Sequence, residues 1–208
     1  MIVEKLTMGP FMVNCYVVGE PETMDAVIID AGDDADRIIT TVDSLGLKPI
    51  CLANTHAHID HVGAVKAVME RYKVGFHLHK AEKPVMLGLP LQGKYFGVKS
   101  SGTPKVTAML EDGGTLKAGK IEMEIIHTPG HSPGGVCLYM PDESILFCGD
   151  TLFAGSIGRT DLPGGSYKKL IKSIREKLLI LPDDTVVYTG HGPETTIGRE
   201  RLSNPFLT

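Results

Sequence analysis

The sequence predicts an α/β fold of two β-sheets with helices on their outer faces. The order of elements carries that expectation: a block of strands, a helix, a strand and a helix, then the same series again. Size agrees with it, since 208 residues that are 42% hydrophobic and 22% charged can enclose a substantial core. No linker-like stretch interrupts the chain, so a single domain over 1–208 is expected.

Residues 2–8, 12–18 and 25–30 read as strands, rich in β-formers and separated by Gly, Pro and Glu. Residues 34–45 read as a helix, with Ile38, Ile39, Val42 and Leu45 at helical spacing and Gly46 as its stop. A short buried strand at 49–53 runs straight into Thr55-His56-Ala57-His58-Ile59-Asp60-His61. A second helix is expected to start at Asp60, which is placed to cap it, with Val62, Val65, Met69 and Tyr72 on one face. Residues 74–79 read as a strand, followed by a short helix from Ala81.

Residues 88–105 show no periodicity and are rich in Gly, Lys and Pro. A loop is expected there, and Lys94, Tyr95, Phe96 and Lys99 make it a candidate lid. Strands follow at 115–117, 120–127, 135–140 and 143–148. Residues 166–181 read as a long amphipathic helix, with Leu170, Ile171, Ile174, Leu178 and Leu179 as its apolar stripe and Pro182 as its stop. A buried strand at 185–188 leads into Gly190-His191-Gly192, and a short helix covers about 195–203.

Seven residues stand out chemically: His56, His58, Asp60, His61, His131, Asp150 and His191. Imidazole and carboxylate are good ligands for zinc and similar divalent metals. His56 and His58 can chelate one ion, while Asp60 and His61, where the chain turns into a helix, can serve a second. His131 sits in a Pro/Gly-rich turn, Asp150 ends an apolar strand, and His191 lies between two glycines. In two sheets packed together, such strand ends converge along one edge. Each residue alone has an ordinary structural explanation; all seven together do not. His77 and His79 repeat the two-residue spacing without a following carboxylate, so structural roles are expected for them; His127 is separated from His131 by Pro129 and Gly130 and is expected to support a ligand or to be structural.

The net charge of −4 lacks the basic excess of a nucleic-acid surface, and no nucleic-acid partner is expected. No apolar run approaches the roughly 18 residues of a membrane span, and the N-terminal residues do not follow a signal-peptide pattern. A cytoplasmic location is the resulting expectation. Cys15, Cys51, Cys137 and Cys148 lie in apolar runs without a C-x-x-C pair and are expected to be buried, reduced thiols.

The H-x-H-x-D-H run, with a later His, Asp and His in this order, resembles the metallo-β-lactamase superfamily. The resemblance covers nearly the whole chain. It implies an αββα sandwich of two mixed β-sheets with helices on the outer faces and the site on one edge. It also implies that His56, His58 and His131 hold one metal, that Asp60, His61 and His191 hold the second, and that Asp150 bridges them. Two divalent ions are expected, zinc first, with iron or manganese as alternatives. Two such ions can bridge a hydroxide and keep it nucleophilic near neutral pH, which suits hydrolysis without a Ser or Cys nucleophile. Asp60 is then a candidate proton shuttle.

The stretch from Gly149 to Asp161, the Thr189-Gly190-His191-Gly192-Pro193 loop and Asn204-Pro205-Phe206 are similar to the glyoxalase II-like branch. That branch comprises hydroxyacylglutathione hydrolases, which cleave S-D-lactoylglutathione to D-lactate and glutathione. The resemblance implies a glutathione-linked, small-molecule thioester as substrate, with a monomer or homodimer as the assembly. It places Arg159 near the substrate carboxylates, where a guanidinium suits bidentate recognition; an ion pair with Asp161 is the alternative reading. The chain ends soon after the His191 loop, so the C-terminal helical region of full-length glyoxalase II is expected to be missing. Persulfide dioxygenases share the fold and the Gly-Arg-Thr-Asp stretch at 158–161, and they use a single iron on residues matching His56, His131 and Asp150. A lactonase, β-lactamase or nuclease of the same superfamily, or a scaffold without chemistry, completes the alternatives.

Overall fold

A computed structural model describes residues 1–98 and 101–208. The first sheet is mixed and runs in chain order: β1 (Ile2–Met8), β2 (Val13–Gly19), β3 (Asp25–Ile29), β4 (Lys48–Ala53), β5 (Gly75–Leu78) and β6 (Ala108–Met109). Its first pairings are antiparallel and those from β3 onward are parallel. The second sheet contains β7 (Thr115–Ala118), β8 (Ile121–His127), β9 (Val136–Met140), β10 (Ile145–Gly149), β13 (Val186–Thr189) and β14 (Thr195–Thr196). Its order is β14-β13-β10-β9-β8-β7, with the β10–β13 pair parallel. A small hairpin, β11 (Leu152–Phe153) and β12 (Ser156–Ile157), stands apart.

The central strands bury both faces, which explains why they read as unbroken apolar runs. Tyr16, Val18, Val27 and Ile29 face Ile121, Met123, Leu138 and Phe147 in a core between the sheets. On the opposite face, Cys15, Val17, Ala26 and Ile28 pack with Ile38 and Val42 of α1 (Ala35–Ser44) and Val65 and Val68 of α3 (Val65–Tyr72). Beyond the second sheet, Cys137, Leu146, Cys148 and Val187 pack with Leu170 of α6 (Tyr167–Ser173) and Ile197 of α7 (Ile197–Ser203). The αββα sandwich of two mixed sheets is therefore the observed fold. All four cysteines are buried and unlinked, and among the described residues no helix is long and apolar enough to cross a membrane.

Three local expectations need correction. The helix expected from Asp60 is split into α2 (Ile59–Val62) and α3. Gly63 lies against the loop after β3, where an added Cβ would meet Gly32 O at 2.2 Å, and Ala64 N–H donates to Ala31 O. His58 rather than Asp60 is the N-cap residue of α2, so the Asp60 carboxylate does not cap it. The loop expected at 88–105 is partly helical. After α4 (Lys83–Leu87), α5 spans Leu89–Phe96, with Pro90 in its first turn, where a missing N–H costs nothing. Lys94 and Tyr95 face solvent, and Lys99 of the candidate lid lies outside the described residues. Lastly, the helix expected over 166–181 is α only to Ser173 and continues as a π turn, Ile174–Leu178.

Candidate metal centre

Five strand ends deliver the site to one edge of the sandwich. β4 runs through Asn54 and Thr55 to His56, and α2 begins immediately after His58. β8 precedes the turn that carries His131, β10 ends at Gly149 beside Asp150, and β13 ends before His191. β3 ends beside Asp30, which the sequence reading did not single out.

All seven candidate ligands come together. The ligand atoms of His56, His58 and His131 lie within 4.8 Å of one another, as do those of Asp60, His61 and His191, and those of His56, His61 and Asp150. Asp150 reaches histidines of both sets: its Oδ1 is 3.4 Å from His61 Nε2, and its Oδ2 is 3.6 Å from both His131 Nε2 and His191 Nε2. Asp60 Oδ2 lies 3.3 Å from His191 Nε2.

The donor geometry fits metal ions better than it fits hydrogen bonding. His131 Nε2 is 2.9 Å from His58 Nδ1 and 3.2 Å from His56 Nε2. Three ring nitrogens this close cannot all be satisfied by the protons that neutral imidazoles carry. His131 Nδ1 lies 2.8 Å from Arg159 O and donates to it, leaving a lone pair on Nε2. Among the described residues, His61 Nε2 and Asp150 Oδ1 are buried without a hydrogen-bond partner. Such orphaned atoms are costly unless a cation satisfies them.

Electrostatics differ between the two halves. Burial, reinforced by neighbouring imidazoles, holds His56 well below the ordinary histidine value and pushes His58 down to about 3. At His61 burial works in the same direction, but Asp30, Asp60 and Asp150 overcome it and hold the ring well above that value. His191 is likewise raised, burial being outweighed by its hydrogen bond to Asp60 and by Asp150. Burial opposes ionisation of Asp60 and Asp150, yet His61 and the other histidines hold both carboxyls below the usual range.

A set of supporting residues went unrecognised in the sequence. Asp30 lies 3.1 Å from His61 Nδ1 and accepts from Thr55 N and Thr55 Oγ1. Such a carboxylate fixes the tautomer and orientation of a ligating imidazole. Asn14 Nδ2 donates to Thr189 O and Gly192 O, and Tyr16 OH donates to Thr189 O, which fixes the His191 loop. Asn54 Nδ2 donates to His61 O. Glu82, with no exposed surface, accepts the backbone N–H groups of Ala57 and Gly134. Asp30 had a usable signal, since it closes an apolar strand just as Asp150 does. Glu82 had none.

His79 accepts from Ala81 N and stacks on His127 with ring centroids 4.2 Å apart; neither ring joins a metal-type cluster among the described residues. Arg159 makes a bidentate pair with Asp161, at 2.8 and 2.7 Å, so the loop-bracing reading is realised. It also lines a cleft of about 420 Å³ over the site, with Phe11, Ile59, Gln92, Phe96, Phe153 and Leu162.

A sequence model of the metallo-β-lactamase superfamily matches residues 8–191. The chain belongs to that superfamily. Among curated relatives, hydroxyacylglutathione hydrolase GloC of Haemophilus influenzae is 40% identical, over 100% of this chain and 98% of its own. Among solved structures, the B3 metallo-β-lactamase BLEG-1 is 40% identical with a TM-score of 0.94, over 100% of both chains. TTHA1623, solved in a di-iron-bound form, is 40% identical with a TM-score of 0.91, over 99% of this chain and 100% of its own. Metal-dependent hydrolysis is the class of chemistry that goes with this membership.

Proposed function

We propose that the chain is a thioester hydrolase that cleaves S-D-lactoylglutathione, or a close relative of it, to the hydroxy acid and the free thiol. The full-length similarity to GloC carries this reading. The donor set supports it: five histidines and two carboxylates fit two divalent ions, with zinc as the first expectation and iron as the alternative. His56, His58 and His131 would hold one, Asp60, His61 and His191 the other, and Asp150 both. Bound there, the ions supply Lewis acidity toward the thioester carbonyl and acidify water.

The residues themselves do the rest. Asp60 is ionised, partly exposed to the cleft and 3.3 Å from His191, where it can accept a proton and return it to the leaving sulfur. A thiol with a reference pKa of about 8.5 leaves without a strong general acid. Phe11, Phe96 and Phe153 narrow the cleft and limit water. Arg159 binds a substrate carboxylate in competition with Asp161.

The test is hydrolysis of S-D-lactoylglutathione by protein whose metal content is assayed in the same sample. Turnover with close to two metals per chain is the expected result. No turnover of this or any other glutathione thioester with metals bound would sink the reading. A second reading draws on the Gly-Arg-Thr-Asp stretch at 158–161: a persulfide oxidation on a single iron, revealed by oxygen uptake on glutathione persulfide. Cleavage of a β-lactam in place of the thioester would instead align the chain with BLEG-1.

A further inference from the structure

A second cavity of about 340 Å³ adjoins the cleft over the metal centre. The two share His58, Gln92, Phe96 and Leu162 as a common wall. Beyond that wall the second cavity is lined by Val85, Leu91, Pro133 and Pro163, and among the described residues no Asp, Glu, Lys or Arg lines it. Its polar side chains are His58 and Gln92. Gln92 has both ends engaged: its Oε1 accepts from Ile59 N and its Nε2 donates to Val85 O, each at 3.1 Å. His58 Nδ1 is turned to His131, 2.9 Å away. A guest in this cavity therefore meets mainly carbon, with His58 and Gln92 as its polar edge.

Leu91 adds an independent observation. It lines the cavity yet is 72% exposed, a large apolar side chain with open surface beside a metal-type site. Arg159, the cation of the cleft, does not line this cavity. Among the described residues, charged side chains line the cleft and none lines the second cavity. The cleft beside Arg159 suits a charged thiol moiety, and the second cavity suits a hydrocarbon chain.

Resting on the thioester reading, we propose that this cavity is an acyl arm, and that the preferred substrates are thioesters of unsubstituted, medium-length acyl chains rather than lactoyl. The carbonyl sits over the metal centre and the chain runs past Phe96 and Leu162 toward Leu91. The reaction is unchanged in kind. The oxygen of water bonds to the carbonyl carbon, the C–S bond breaks, sulfur leaves with the electron pair and regains a proton, and a carboxylic acid and a thiol result.

The test compares kcat/KM for acetyl-, butyryl-, hexanoyl- and octanoyl-glutathione with that for S-D-lactoylglutathione, in the metal-loaded wild type and in Leu91→Asp. Each methylene buried in the arm is expected to raise kcat/KM by up to about fourfold until the arm is full. Leu91→Asp, a change at an exposed position, is expected to lower the hexanoyl-to-acetyl ratio by tenfold or more. Efficient lactoyl turnover with a flat or falling series overturns the acyl arm and leaves the hydrolase reading standing. An unchanged ratio in Leu91→Asp also overturns the arm. No turnover of any thioester overturns both.

Discussion

Glu82 Oε1 accepts the backbone N–H of Gly134 at 2.6 Å, while its other oxygen accepts that of Ala57 at 2.8 Å. Ala57 lies between His56 and His58, and Gly134 is in the turn that presents His131. One buried carboxylate thus fastens both segments that carry the all-histidine set. The corresponding anchor of the other set is Asp30, beside His61.

Glu82→Gln keeps the shape but turns one acceptor into a donor that faces a backbone N–H. Folding stability should fall by about 1–3 kcal/mol. Zinc affinity of the His56–His58–His131 set should fall by roughly tenfold to a hundredfold, as for other groups that orient metal ligands. A chelator-competition titration resolving two binding steps checks this. Equal weakening of both steps would show a general loosening instead.

Asp150→Ala removes the carboxylate that reaches both sets. Metal content per chain should drop and hydrolysis should be abolished, with the far-ultraviolet circular dichroism largely preserved. Full activity in this variant would remove Asp150 from the centre.

Metal binding should release protons. Without metal, nearby carboxylates hold His61 well above the ordinary histidine value and His191 above it, which favours their protonated forms. A ligating imidazole must be deprotonated, so binding expels those protons and apparent affinity rises with pH. His56 and His58, held low, have none to lose. Calorimetric titration at pH 7 in buffers of different ionisation enthalpy should register net proton release. Zero release, or proton uptake, would contradict the charge pattern.

Arg159→Ala should raise KM more than it lowers kcat, the pattern for a group that holds substrate and transition state alike. Asp161→Asn frees the same guanidinium from its bidentate pair and should lower KM. Steady-state kinetics of both variants decide the matter. Unchanged constants in both would leave Arg159 as a brace for its loop.

The strands and the ligands were legible because each is written locally. Apolar runs such as 26–29 and 146–148 are buried on both faces, and their hydrophobicity shows in any short window. Helix α5 was not legible, since Gly88, Pro90, Gly93 and Gly97 mask its pattern, and Gln92 and Phe96 reach the cleft all the same. The break at Gly63 depends on Gly32, which is distant in sequence. Glu82 could not be read either, because its partners are backbone amides 25 and 52 residues away, and amides leave no trace in a sequence.

Each ligand set draws on both halves of the sandwich. His56 and His58 follow a strand of the first sheet, whereas His131 follows one of the second; Asp60 and His61 pair in the same way with His191. An ion seated in either set is thus a rivet through the open rim of two layers that otherwise adhere by contact between apolar faces. Ions that favour the riveted form over the unfolded chain stabilise it in proportion to the logarithm of their concentration. Loss of metal then removes a link between the two layers as well as the chemistry of the rim.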